Sequence, residues 1–182
     1  MTAEGFALII LASGLSERFG EENKLLGDLS GKPVISHVID NHGPVDFGLK
    51  LAGVSGEDHV TALLEQAGFT CVQTLTPERG QGSSLAIGAR AVIQQGYEKS
   101  VIVLGDMPFV KAAHIWNLIE KAPTETIVMS ECGGIKMPPA MFCGQALRAL
   151  CTAKGDRGGK AALGRTPPAT LPLSALAARD ID

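Results

Sequence analysis

One carboxylate closes an apolar run in the stretch VIVLGDMPFV (Val101–Val110): Asp106, followed two residues later by Pro108. Mg²⁺ takes oxygen ligands, usually one or two carboxylates, with waters and substrate phosphates filling its other positions. A lone acid at the end of a buried strand suits that task, although by itself it also suits a turn or a helix cap. The stretch LASGLSERFGEENKLLGDLSGKPV (Leu11–Val34) follows the apolar run FALIILA (Phe6–Ala12) with no linker. Glycine-rich backbone directly after a strand presents N–H groups that bind anions, most often phosphate. Arg18 and Lys24 add positive charge to the same loop, which suits a flap over a triphosphate. PERGQGSSLAIGA (Pro77–Ala89) sets Gly82, Ser83 and Ser84 ahead of a helical pattern. Either serine is a natural N-cap; the same groups can also hydrogen-bond a nucleobase. GDRGGKAAL (Gly155–Leu163) offers Asp156, an ordinary turn residue or a second acid for a metal.

Two standard nucleotide loops are excluded. A Walker A loop needs GxxxxGK[ST], whereas Gly14 and Gly20 are six apart and Glu21 follows. The dinucleotide fingerprint GxGxxG also fails, which argues against a Rossmann oxidoreductase. His37, His42, His59 and His114 have no acidic or nucleophilic partner at a telling spacing, so they read as surface or helix residues. Cys71, Cys132, Cys143 and Cys151 form no CxxC pair and have no histidine cluster beside them. They read as reduced, mostly buried thiols of a cytoplasmic protein rather than as zinc ligands.

The elements that must hold these loops alternate between strand and helix. FALIILA is continuous rather than alternating, as expected of a strand buried on both faces. Pro33 to Gly43 reads as a helix, Phe47–Val54 as a strand, Glu57 to Gln66 as a helix and Phe69–Leu75 as a strand. Ser83–Gly96 reads as a helix capped by Gly96, and Ser100–Gly105 as a strand. HIWNLIEKA is a helix and Thr126–Ser130 a short strand. Glu131–Phe142 reads as a hairpin or irregular turn, and Gln145–Lys154 as a helix. The tail from Thr166 has no assignment. Alternating units of this kind imply a three-layer α/β fold with a mostly parallel twisted sheet. Ligands of such folds bind at the carboxyl ends of the strands. That rule selects the loops after Ala12, Leu75 and Leu104.

The 182 residues suit one domain, 1–182, and 45% hydrophobic content is enough for a core. A net charge of −3 with no basic block argues against nucleic-acid coating. The N-terminus lacks the basic region of a signal peptide, and no segment approaches the roughly 20 apolar residues of a membrane span.

Taken in order, the motifs resemble one family. LASGLSERFGEENKLL resembles the LAAGxSxRxGxxK signature of the nucleotidyltransferases of molybdenum cofactor maturation, the MobA/MocA-like NTP transferases. SGKPVISHVI resembles their G-[KR]-P-[LV] segment, and GQGSSLAIGA their GxxxSLxxG segment. VLGDMPFV resembles L-[GA]-D-[MQ]-P, and GDRGGKAAL the late GDxGx[RK]xL motif. The matches run from about residue 6 to 163. The late motif and NKLL lean toward the cytidylyl-transferring branch.

The resemblance implies a Rossmann-like nucleotidyltransferase fold and Mg²⁺-dependent transfer of CMP, with GMP as the alternative. The donor is CTP, the acceptor is the phosphate of molybdopterin cofactor, and pyrophosphate leaves. A molybdenum hydroxylase is the implied protein partner. Carried over by position, Leu11, Ala12, Ser13 and Gly14 hold base and sugar, while Arg18 and Lys24 hold the triphosphate. Gly82, Ser83 and Ser84 help read the base, Asp106 binds Mg²⁺, and Asp156 is a second acid near it. Two departures stand out. Ser13 replaces the third residue of LAAG or LAGG, and the sequence ends ARDID where relatives commonly read on with TPED, a difference that bears on acceptor binding or dimerisation. The rival readings are a sugar- or alditol-phosphate nucleotidyltransferase and a non-catalytic nucleotide-binding partner of a molybdenum enzyme.

Overall fold

A computed structural model describes residues 2–13, 23–56, 58–74, 81–153 and 167–180. Along the chain come β1 (Ala3–Ala12), a 3-10 turn (Lys24–Leu26), the short strands β2 (Asp28–Leu29) and β3 (Lys32–Pro33), α1 (Val34–His42) and β4 (Phe47–Val54). They are followed by α2 (His59–Gln66), β5 (Thr70–Gln73), α3 (Gln81–Gln94), β6 (Lys99–Leu104) and α4 (Ala112–Ile119). The last elements are β7 (Ile127–Cys132), β8 (Ile135–Cys143), α5 (Gln145–Leu150) and β9 (Ala169–Pro172).

Seven strands form one sheet in the order β5-β4-β1-β6-β8-β7-β9. β8 is antiparallel to both its neighbours, and every other pairing is parallel. The fold is therefore the expected three-layer, Rossmann-like α/β arrangement with a mostly parallel sheet. β1 lies between β4 and β6, with Ile9 opposite both Leu51 and Ile102. That position explains its unbroken apolar sequence, because both faces are covered. Leu8 and Ile10 pack into one core with Ile35, Val38, Leu64, Ile115 and Leu118. Ala7 and Ile9 pack into the other with Leu85, Ala89, Val92 and Leu147. Each fully buried Val, Leu or Ile among them contributes about 1.5–3 kcal/mol.

Several boundaries differ from the sequence reading. α2 begins at His59, because the Asp58 side chain caps it by accepting the Thr61 N–H at 3.0 Å. α3 begins at Gln81, so Ser83 and Ser84 lie inside its first turn and neither is the N-cap. The ambiguous Glu131–Phe142 stretch is a true hairpin: Gly133 and Gly134, both at positive φ, turn β7 into β8. α5 stops at Leu150 rather than Lys154. The unassigned tail supplies β9, which pairs with β7 at the sheet edge. Of the four cysteines only Cys143 is buried, and all are free thiols. No helix among the described residues is long and apolar enough to cross a membrane.

Candidate active site

β1 and β6 end side by side, Leu11 opposite Leu104. The next residue, Gly105, donates its N–H to the Leu11 carbonyl at 2.9 Å. A Cβ at 105 would lie 3.2 Å from that oxygen and 3.3 and 3.4 Å from methyl groups of Ile35 and Leu25. Only glycine fits the approach without displacement, and it sets Asp106 just beyond the carboxyl edge of the sheet.

Lys24 reaches the same point from the other side. The Asn23 side chain caps the 3-10 turn by accepting the Leu25 N–H at 3.1 Å. Leu25 is buried in the core beside Ile35 and Met107. Cap and anchor together aim Lys24 at Asp106, and its Nζ donates to Oδ2 at 2.7 Å. Both side chains are largely covered, 19% and 15% exposed. The other oxygen, Oδ1 of Asp106, is buried without a hydrogen-bond partner among the described residues. A buried carboxylate oxygen with no donor is costly unless something else satisfies it. An oxygen-seeking cation would do so, and the donor chemistry therefore fits Mg²⁺. No cluster of three or more metal-ligating residues occurs among the described residues.

A second pair stands where β1 ends. Ser13 Oγ and Ser84 Oγ lie 2.6 Å apart, both buried. The bond ties the exit of β1 to the first turn of α3. Gly82 is buried in that same turn. Ala12 is packed into the core, and the Leu11 carbonyl is taken by Gly105, which limits what either can offer a ligand. Thus Leu11, Ala12, Ser13, Gly82, Ser83, Ser84, Lys24 and Asp106 converge on the carboxyl end of the sheet. Gly14, Arg18 and Asp156 lie outside the described residues.

The histidines stand apart from this arrangement, all four on helices. His42 is buried rather than at the surface; burial, then Lys111 and His114, lowers its pKa to about 4. His114 is also lowered by burial, and its Nε2 lies 2.7 Å from Ser130 Oγ. His37 Nε2 lies 2.7 Å from the Leu29 carbonyl. Two thiols are held from the reactive thiolate form: burial pushes Cys71 up to about 11, helped by Glu65 and Asp58, and burial also raises Cys143. Sequence reasoning missed Asn23 and Asn41. An Asn just ahead of KLL is a cap signal that was there to read. Nothing local marks Asn41, whose amide donates to the Pro108 carbonyl 67 residues away at 2.8 Å.

The motifs, the sheet order and the placement of Lys24 and Asp106 agree with one further finding. Residues 8–170 match the MobA-like NTP transferase domain. The chain belongs to that family. Among its curated relatives, the bifunctional protein GlmU of Sinorhizobium fredii is 33% identical over 108 residues, covering 58% of this chain and 24% of GlmU. The chain thus spans about a quarter of that relative's length. The purine catabolism protein PucB of Bacillus subtilis is 28% identical over 162 residues, 84% of this chain and 77% of PucB. Molybdopterin-guanine dinucleotide biosynthesis protein A from Archaeoglobus fulgidus has the same fold, with a TM-score of 0.69 at 20% identity over 91% of this chain and 83% of that one.

Proposed function

We propose that this MobA-like NTP transferase moves a CMP group from CTP to the phosphate of molybdopterin cofactor, with Mg²⁺, and releases pyrophosphate. The observation that carries the reading is the Lys24–Asp106 pair, with its second carboxylate oxygen unsatisfied among the described residues, at the carboxyl ends of β1 and β6. The cytidylyl choice rests on the late GDxG segment and on NKLL. The similarity to the Archaeoglobus protein supports the molybdopterin acceptor and makes GMP the alternative.

The chemistry is in-line attack by an acceptor phosphate oxygen on the α-phosphorus. Two anions must meet, so the protein's task is positioning and charge neutralisation. Asp106 would hold the cation, which when bound supplies positive charge to the phosphates. Lys24, now paired with Asp106, has the reach and the charge to turn toward the phosphates and offset the charge gathering on pyrophosphate. Arg18 serves the same end on the preceding loop, and Asp156 is the second acid. Ser13 and Ser84, with Gly82 and Ser83 beside them, line the place for base and sugar. The acceptor phosphate is already ionised, so no general base is required. A molybdenum hydroxylase is the enzyme that such a product would serve.

The test is a thermal-shift titration with CTP, GTP, ATP and UTP, each with and without Mg²⁺. Ligand at ~100-fold over Kd stabilises the fold by roughly 2.7 kcal/mol. A Mg²⁺-dependent shift confined to CTP supports the reading; preference for GTP moves the chain to guanylyl transfer. No shift with any nucleotide overturns it.

A further inference from the structure

The segment that carries Asp106 is held at its start, where the Gly105 N–H bonds the Leu11 carbonyl at 2.9 Å, and only weakly by its own backbone beyond Asp106. Between β6 and α4, the Met107 N–H reaches the Leu104 carbonyl at 3.4 Å and the Val110 N–H reaches the Met107 carbonyl at 3.4 Å. Both bonds are long. Burial of Met107 and Val110 fixes where the segment lies, but apolar contacts do not fix the rotation of its peptide planes. Lys24 holds the Asp106 side chain itself, and beyond Asp106 a side chain from another element holds a peptide plane. Asn41, on the last turn of α1, donates Nδ2 to the Pro108 carbonyl at 2.8 Å. Its Oδ1 accepts from Lys111 Nζ at 3.2 Å. One amide therefore grips the segment at two points, two and five residues beyond Asp106, and uses its donor and its acceptor in a single orientation. α1 is itself anchored through Val34, Ile35 and Val38, all buried in the core.

We infer that Asn41 is a positioning residue for the Asp106 carboxylate: through the Pro108 carbonyl and Lys111 it holds the segment so that Asp106 Oδ1 presents to a divalent cation. The inference rests on the proposed function, since it needs Asp106 to meet Mg²⁺. Asn41 touches neither nucleotide nor metal in this role. The amide is required rather than a carboxylate, because only the amide can donate to Pro108 while accepting from Lys111.

The test compares wild type with Asn41→Asp and Asn41→Leu. The first keeps size and the Lys111 contact but loses the donor to Pro108. The second keeps bulk and loses both bonds. Two quantities are read for each protein: the melting temperature without ligand, and the Mg²⁺ concentration giving half of the CTP-induced thermal shift. Groups that orient a metal ligand from behind commonly change metal affinity by 10–100-fold. Asn41 acts through backbone, so the expected rise in the Mg²⁺ midpoint is about tenfold in both variants. CTP at saturating Mg²⁺ should still give the wild-type shift. An unchanged midpoint in Asn41→Asp overturns the inference, even if the ligand-free melting temperature falls, because a merely structural residue would show that pattern. If Asn41→Leu does not fold, Asn41→Asp decides alone. A wild type with no Mg²⁺-dependent shift overturns the proposed function, and this inference with it. A normal wild type with unmoved variants overturns the inference only.

Discussion

Replacing Asp106 by Ala tests the centre of the proposed mechanism. The substitution removes an acceptor bonded to Lys24 at 2.7 Å and a second oxygen that nothing among the described residues satisfies. Two separate costs follow. The first is structural. Truncating one partner of a fully buried ion pair costs about 3–5 kcal/mol, whereas exposed pairs contribute ~0–1 kcal/mol. With side chains 19% and 15% exposed, this pair lies between those limits, at about 1–2 kcal/mol. For a chain of this length that is a fall of roughly 2–8 °C in Tm. The unsatisfied Oδ1 works in the opposite direction, since removing a stranded oxygen relieves its desolvation, so the lower half of that range is expected. The second cost is catalytic. One preorganised electrostatic group commonly supplies ~3 kcal/mol to the transition state, which is roughly 10²-fold in kcat. The two effects separate cleanly: pyrophosphate release from CTP with molybdopterin acceptor is followed at saturating Mg²⁺, and unfolding is followed on the same preparation. Turnover within about threefold of wild type would refute the assignment of Asp106 to the metal. A Tm loss without a turnover loss would reduce the pair to a structural ion pair.

Lys24→Ala should leave the fold in place, because Leu25 and the Asn23 cap still hold the turn, and should raise the CTP concentration needed for half-maximal rate. Full activity at low CTP would count against its role. His42 should make stability pH-dependent: its folded pKa of about 4 lies below the ordinary 6.5, so between those values the unfolded chain binds a proton that the folded chain refuses. The contribution is fully present above pH 6.5 and is lost as pH falls toward 4, by roughly 3 kcal/mol at full extent. His42→Leu should flatten the Tm–pH curve over that window, and a curve parallel to wild type would refute the cause. Gly88→Leu should lower Tm, since a Cβ at 88 already lies 3.1 Å from an Ile9 methyl, and overpacking of this kind costs about 1–3 kcal/mol; an unchanged Tm would mean that α3 and β1 part easily.

The sequence was most readable where burial on both faces forced an unbroken apolar run. β1 and β6 fall close to where the runs FALIILA and VIVL predict, because side chains at the centre of the sheet are covered on both faces. The turn after β6 was readable for a related reason: Gly105 and Asp106 break the run abruptly. Other features depended on partners far along the chain. Nothing in ATLP marks an edge strand; β9 exists because β7 offers it a ladder. Ser83 and Ser84 have the chemistry of a cap, yet α3 starts earlier and Ser84 bonds Ser13 instead. His42 carries no local sign of burial, and its surroundings come from segments some 70 residues later. Asn41 was invisible for the same reason.

The two latches of the site join residues 71 and 82 positions apart. During synthesis, therefore, the first strand leaves the ribosome long before either of its flanking partners is complete. The last residue of β6 follows β1 by more than 90 positions, which at 5–20 residues per second is about 5–20 s. Over that interval β1 has at most one of its two flanking strands, β4, which ends at Val54, and no fragment ending before Asp106 contains the carboxylate that faces Lys24. A nascent chain of this protein thus cannot assemble the site early: Lys24 meets Asp106 only once the 82 positions that separate them have been made.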